Sequence, residues 1–273
     1  MTAIPTAPGF DIGRVIQRLF GVLGRNFVTF LLLAILLVGL PTGIASLLQI
    51  IAEGPMLSNP SSPAAGQVNF AAFAFVPLVW LIAAAANAVL QGAVIHATVS
   101  DLSGSRIGFG EALGTGLRNL LPLIGVGLIS AICVFFGFLV FIVPGVLLAL
   151  AWSVATPALI VERTGLLGAF GRSLELTRDN RIQIFALAII AIVIGFIVQM
   201  AATVVAGVGS LALTAAGPNP NSLVGFMVSG AIVGLISQTT TALIGAAGIA
   251  SVYYELRFVK EGVGAQDLAA VFD

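Results

Sequence analysis

The sequence predicts an all-α, polytopic membrane protein: a helical bundle of six transmembrane helices with amphipathic helices on its cytoplasmic surface. Composition is the first reason. Of the 273 residues, 59% are hydrophobic and 8% are charged, whereas a soluble domain carries about 25% charged residues. The second reason is that apolar stretches of at least about 20 residues, the length that crosses a bilayer, recur along the whole chain.

Polar connections divide the chain into a cytoplasmic amphipathic segment (1–26), a six-span membrane domain (27–256) and a cytoplasmic tail (257–273). In the first segment, apolar residues recur at three- and four-residue spacing between arginines, which is typical of a helix on a membrane surface. Proline followed by glycine is strong turn chemistry, so we predict a hairpin tip at residues 143–145. The predicted spans are 27–51, 70–99, 119–142, 146–161, 182–212 and 223–253.

The distribution of basic residues tests this arrangement. Six spans place residues 1–26, 100–118, 162–181 and 255–273 on one side of the membrane and the remaining connections on the other. All eleven Lys and Arg residues fall on the first side and none on the second. Basic residues are retained in the cytoplasm, so both termini are predicted to be cytoplasmic. The net charge of zero argues against a nucleic-acid partner.

The connector between the fourth and fifth spans is rich in arginine, with Arg163, Arg172, Arg178 and Arg181. Near a negatively charged leaflet, each arginine contributes about 1 kcal/mol of attraction to anionic headgroups. These arginines are therefore candidate lipid contacts; alternatively, they are topology determinants in contact with water, and the two roles are compatible. At the rim of the membrane we predict an ion pair within about 4 Å, either between Glu162 and Arg257 or between Glu255 and an arginine of the connector.

A few polar residues interrupt the predicted spans. They are Asn87, Gln91 and His96 in the second span, Gln199 in the fifth and Gln238 in the sixth. Such residues commonly form hydrogen bonds between helices, although together they could also line a small polar pathway. With a single histidine, no metal site or cofactor is predicted. No acidic or basic residue lies in the middle of a span, which disfavours an ion-coupled transporter.

Two stretches carry a family signature. The first contains Pro157, Glu162, Gly165, Ala169, Arg172, Ser173, Leu176 and Thr177, and the second runs from Tyr253 to Gly262 and includes Tyr254 and Arg257. This pattern resembles the membrane domain of the glycerophosphoryl diester phosphodiesterase family and the related YciC-type uncharacterised bacterial membrane proteins. The resemblance implies the bacterial inner membrane. The catalytic barrel of that family needs clustered His, Glu and Asp, which this chain lacks, so no catalytic residue is predicted.

Two functions are compatible with these observations. The first is a non-enzymatic, lipid-interacting or accessory module that binds anionic headgroups on the cytoplasmic side. The second is a small uncoupled permease or channel-like transport subunit that uses Asn87, Gln91, Gln199 and Gln238. Convergence of those side chains on one cavity would favour transport. Either function leaves room for a protein partner or a homo-oligomer.

Overall fold

The computed structural model describes residues 9–45, 70–215 and 220–262, and these ranges are helical, without strands. The helices are α1 (Ile12–Arg25), α2 (Phe27–Ala34, followed by a π-helical turn at Ile35–Gly39), α3 (Phe70–Leu102), α4 (Phe109–Arg118), α5 (Leu120–Val140), α6 (Ile142–Ala151), α7 (Ala155–Glu162), α8 (Gly165–Thr177), α9 (Arg181–Ala215) and α10 (Pro220–Glu261). The predicted all-α class is confirmed.

Within these described ranges, six helical stretches are long and apolar enough to cross a membrane, as the sequence predicted. They are Phe27–Ala45, Pro77–Leu102, Leu120–Val140, Ile142–Glu162, Arg181–Gly209 and Val228–Glu261. The last six residues of the first predicted span, 46–51, lie outside the described residues. The same is true of the first eight residues of the N-terminal segment and of the tail after Gly262.

The chain forms two compact units. The described parts of the first unit are 9–33, 88–191 and 243–262, and those of the second are 34–45, 70–87, 192–215 and 220–242. All eleven Lys and Arg residues lie in the first unit, whereas the described residues of the second unit carry no charged side chain. The charged side chains described below as the candidate site therefore all lie in the first unit.

The predicted hairpin tip at 143–145 is wrong by a few residues. The turn lies at Phe141, between the end of α5 and the start of α6. Pro144 is the third residue of α6, where a missing backbone N–H costs no intrahelical hydrogen bond. Gly145 is needed for helix contact, because a Cβ there would lie 2.6 Å from the ring of Phe138. The Pro-Gly pair thus lies in the first turn of a helix.

The fourth span consists of two short helices, α6 and α7, separated by residues 152–154. Pro157 explains the break, because its ring would clash with the carbonyl four residues earlier in a continuous helix. Ser173 of α8 satisfies the interrupted backbone: its Oγ donates to the carbonyl of Ala151 (2.8 Å) and accepts from the N–H of Val154 (3.3 Å). The ring of Trp152 also packs on Phe170 (4.6 Å between centroids). Helix α8 therefore supports the break.

The sixth span is longer than predicted. Helix α10 continues to Glu261, so the tail predicted from residue 257 begins inside a helix. The residues 253, 257 and 261 recur every four positions and share one side of α10, since a helix has 3.6 residues per turn. This continuation holds the acidic and basic side chains of the candidate site on a rigid element.

Helices α3 and α4 approach closely at Gly116, where a Cβ would lie 2.4 Å from the carbonyl oxygen of Val89. We expect Gly116→Ala to lower the free energy of unfolding by about 1–3 kcal/mol, because the backbones must separate. Gly114 is the matched control: a Cβ there meets nothing within 4 Å, so Gly114→Ala is expected to stabilise α4 by about 1 kcal/mol. Denaturant unfolding in detergent measures the stability of both variants. Equal effects of the two substitutions would contradict the close approach of α3 and α4 at Gly116.

Candidate functional site

The candidate site is the set of charged side chains around the last turns of α10. One side of this helix carries Tyr254, Glu255 and Phe258 and contacts α1. The other carries Tyr253 and Glu261, which contact Glu162 and Arg172 of α7 and α8. The end of α10 therefore connects the N-terminal helix with the connector between the fourth and fifth spans.

Glu255 is fully buried, and its partners come from the N-terminal segment. Arg14 donates to Oε1 from Nε (3.0 Å) and from Nη2 (2.7 Å), and Arg18 donates to Oε2. The N–H of Asp11 also donates to Oε1 (3.3 Å). The Arg18 guanidinium lies 4.9 Å from the centroid of the Tyr254 ring, within the range of a cation–π contact. A carboxylate without exposed surface is thus paired with two cations.

The predicted ion pair at the rim is present in one of its two forms. Arg257 Nε lies 3.9 Å from Glu162 Oε1, and the hydroxyl of Tyr253 donates to the same oxygen (2.7 Å). The other form, Glu255 with an arginine of the connector, is wrong. Glu255 points to the opposite side of α10, where α1 supplies both of its arginines.

Arg172 lies at the centre of a second cluster. Its Nε donates to Glu162 (2.7 Å), its Nη1 to Glu175 (3.1 Å) and its Nη2 to Glu261. Burial lowers the pKa of Arg172, but the hydrogen bonds and charges of Glu162 and Glu175 outweigh burial and raise the pKa above its ordinary value. All three nitrogens of this guanidinium are therefore engaged by carboxylates of the same chain, unlike a guanidinium open to a headgroup.

Two further ion pairs bind the same unit together. Arg25, at the end of α1, donates from Nε to Asp101 Oδ2 (3.1 Å), and Asn26 donates to Oδ1 of the same carboxylate (3.0 Å). The hydrogen bond to Asp101 raises the pKa of Arg25. Lys260 Nζ lies 3.1 Å from Asp179 Oδ2. In total, six of the eleven basic residues form ion pairs with described residues.

The other five basic residues make no ion pair with any described residue. They are Arg106, Arg118, Arg163, Arg178 and Arg181, and all except the half-buried Arg181 are exposed. Three of them, Arg163, Arg178 and Arg181, were predicted as headgroup contacts from the sequence. Arg106 and Arg118 also form no ion pair with the described residues but were not predicted as headgroup contacts, although they lie on the same side in the predicted topology.

The predicted polar residues within the spans have different surroundings. In the second unit, Gln199 Oε1 accepts from Ser237 Oγ (3.2 Å) and so joins α9 to α10. His96 is buried, whereas Asn87, Gln91 and Gln238 are exposed. A cavity of about 320 Å³ in the second unit is lined by aliphatic side chains such as Leu36, Leu40 and Leu78, and by none of these five residues. Transport stays a prediction without a supporting observation.

Six apolar helical stretches in the described part of the chain indicate the class of multi-pass helical membrane proteins. Within that class, the family model of a domain of unknown function, DUF7847, matches residues 126–256. The match runs from α5 to α10 and includes the predicted signature residues Pro157, Glu162, Arg172, Ser173 and Tyr254. Arg257 lies one residue beyond it. No curated protein and no solved structure matches the chain.

The resemblance to the glycerophosphoryl diester phosphodiesterase membrane domain and to YciC-type proteins stays a prediction. The structure does give physical roles to several of the residues that carry it. Pro157 breaks the fourth span, Ser173 bonds to the interrupted backbone, and Glu162 accepts from Arg172 and Tyr253. Among the described residues, no three His, Cys, Asp or Glu side chains come together as a metal site requires.

Proposed function

We propose that this protein is a non-enzymatic integral membrane protein whose charged end binds anionic lipid headgroups, as a lipid-interacting or accessory module of the bacterial inner membrane. One observation carries the proposal: the ion pairs of the first unit leave five arginines unpaired within the described chain. A guanidinium is a planar donor that matches phosphate oxygens in two-point contacts. Exposed arginines at the edge of a bilayer are therefore suited to phosphate headgroups.

The distribution of carboxylates supports this role. Eight acidic residues are described, and six of them pair with Arg14, Arg18, Arg25, Arg172, Arg257 and Lys260. Of the remaining two, Asp11 caps the N-terminus of α1 (2.7 Å to the N–H of Gly13), and Glu111 is exposed. The positive charge that remains is thus carried by four exposed arginines and the half-buried Arg181, and the exposed ones are accessible to an anionic surface.

The orientation of the protein is part of the proposal. All basic residues lie in one unit, and basic residues flanking spans are retained on the cytoplasmic side. We therefore place this unit, with both termini, at the cytoplasmic face. The cytoplasmic leaflet carries anionic lipids, which give it a negative surface potential. The proposed orientation therefore brings the unpaired arginines to the leaflet that contains the proposed ligand.

The test compares lipid retention by the purified protein in mixed phosphatidylglycerol and phosphatidylcholine. Each single Arg→Gln substitution among the five is expected to weaken retention of the anionic lipid about fivefold, since one arginine contributes about 1 kcal/mol. The preference is expected to weaken as ionic strength rises, because salt screens exposed charges. Native mass spectrometry of the released complexes measures the ratio of the two lipids.

The matched control replaces the same five arginines by lysine. This variant keeps the positive charge but loses the planar guanidinium and its two-point contacts with phosphate. It is therefore expected to retain a smaller preference for anionic lipid. Equal retention of both lipids by the wild-type protein would overturn the proposal. So would an unchanged preference in the variant with all five arginines replaced by glutamine.

A further inference from the structure

Helix α8 (Gly165–Thr177) has three faces, of which only one is buried. Successive residues are separated by about 100° around a helix. Ala169, Phe170, Ser173, Leu176 and Thr177 are buried on one face. A second face carries Arg172 and Glu175, which belong to the ion-pair cluster. The third face carries Leu167, Gly171 and Leu174, at spacings of four and three residues.

The third face is apolar and exposed. Leu167 is 78% exposed and Leu174 is 42% exposed, and Gly171 between them is also exposed. Arg178 follows four residues after Leu174, and Arg163 precedes the helix; both are exposed. An apolar stripe flanked by arginines is the pattern of a helix that lies in the plane of a membrane interface. An exposed apolar stripe of this kind marks an interaction surface.

We propose that the Leu167–Gly171–Leu174 face of α8 is inserted into the lipid at the interface, so that α8 is an in-plane membrane helix. The proposal rests on the proposed function for its choice of flanking headgroups. It adds a second contact of different chemistry: leucine side chains against acyl chains. Arg163 and Arg178 then lie at the level of the phosphates on either side of the inserted leucines.

Two observations identify the bilayer as the occupant of this face. The first is charge complementarity, because the flanking arginines are unpaired among the described residues and match anionic headgroups. The second is continuity with the membrane-spanning surface. Leu166 packs against α5 where a Cβ at Gly125 would lie 2.8 Å from its Cδ1, and Ile182, in the first turn of α9, is 83% exposed. Both neighbours belong to candidate spans.

Nitroxide scanning tests the insertion. Leu167→Cys, Leu174→Cys and Glu175→Cys are made in a Cys133→Ala background, labelled and reconstituted in nanodiscs of phosphatidylcholine alone. At 167 and 174 we expect collisions with oxygen to exceed collisions with a water-soluble nickel chelate severalfold, at a depth of about 5–10 Å below the phosphates. At 175, whose glutamate side chain is 70% exposed on the ionic face, we expect the nickel chelate to dominate.

Nickel accessibility at 167 and 174 equal to that at 175 would overturn the proposal and would indicate a face for a protein partner instead. If a cysteine at 167 prevents folding, Gly171→Cys replaces it, because a Cβ at Gly171 meets nothing within 4 Å. The zwitterionic nanodisc separates the two proposals. Inserted leucines without any anionic preference would overturn the headgroup function only, and a preference without insertion would overturn the in-plane helix only.

Discussion

Replacement of both Arg14 and Arg18 by glutamine is expected to lower the free energy of unfolding by about 3–5 kcal/mol, because a buried carboxylate would lose both of its cations. Glu255 has no exposed surface, so water cannot replace the lost guanidinium groups. Part of the loss comes from the contacts of Arg18 with Tyr254 and Phe258. Denaturant unfolding in detergent, followed by circular dichroism, measures the change.

Adding Glu255→Gln to this double variant separates charge from packing. The triple variant buries a neutral amide instead of an unpaired carboxylate, so it is expected to recover most of the lost stability. Arg106→Gln with Arg118→Gln is the matched control, since these exposed arginines form no ion pair with the described residues; it is expected to change stability by less than about 0.5 kcal/mol. A triple variant as unstable as the double would refute the role given to Glu255.

Ser173→Ala is expected to lower the free energy of unfolding by about 1–3 kcal/mol, the cost of leaving a buried polar group without its partner. The hydroxyl bonds to the carbonyl of Ala151 and to the N–H of Val154, on either side of the break in the fourth span. Thr177 still reaches the carbonyl of Ala151 (3.3 Å), but the N–H of Val154 loses its acceptor. Thermal unfolding in detergent, with the calorimetric enthalpy, measures the loss.

Ser251→Ala is the matched control for Ser173→Ala. Both serines are completely buried, but the hydroxyl of Ser251 only donates back to the carbonyl of Ala247 within α10 (2.8 Å). That carbonyl belongs to an uninterrupted helix and keeps its backbone donor, so the control is expected to lose less than about 1 kcal/mol. If the two variants lost the same stability, the proposed support of the broken span by α8 would be wrong.

The spans could be predicted from the sequence because their signal is long and one-dimensional. A run of about 20 consecutive apolar residues is the signal of a transmembrane helix. The placement of all eleven basic residues on one side tests all of the predicted span boundaries at once. The ion pair of Glu162 and Arg257 could also be predicted, since Glu162 directly follows the fourth predicted span and Arg257 lies about one helical turn after the sixth. The predictions of spans and of topology need no knowledge of which helices are neighbours.

The structural features that could not be predicted from the sequence depend on which helices are neighbours. Apolar residues surround Phe141 and Trp152 on both sides, so hydropathy does not locate the turn or the break, and Pro144 has the same chemistry in a hairpin tip as in a first helical turn. Hydropathy also does not show which apolar residues of α8 are buried. Phe170 and Leu176 are buried while Leu167 and Leu174 are exposed, and Arg172 pairs with Glu261, 89 residues later.

The order in which the ribosome releases the chain gives the contact between α1 and Glu255 a special place in assembly. Arg14 and Glu255 are 241 residues apart, so at about 5–20 residues per second α1 emerges roughly 12–48 s before its carboxylate. Arg25 meets Asp101 much sooner, 76 residues later. The C-terminal end of α1 thus pairs first, through Arg25, whereas Arg14 and Arg18 pair only when α10 is in place. The contact between α1 and Glu255 is therefore a marker of a fully assembled bundle.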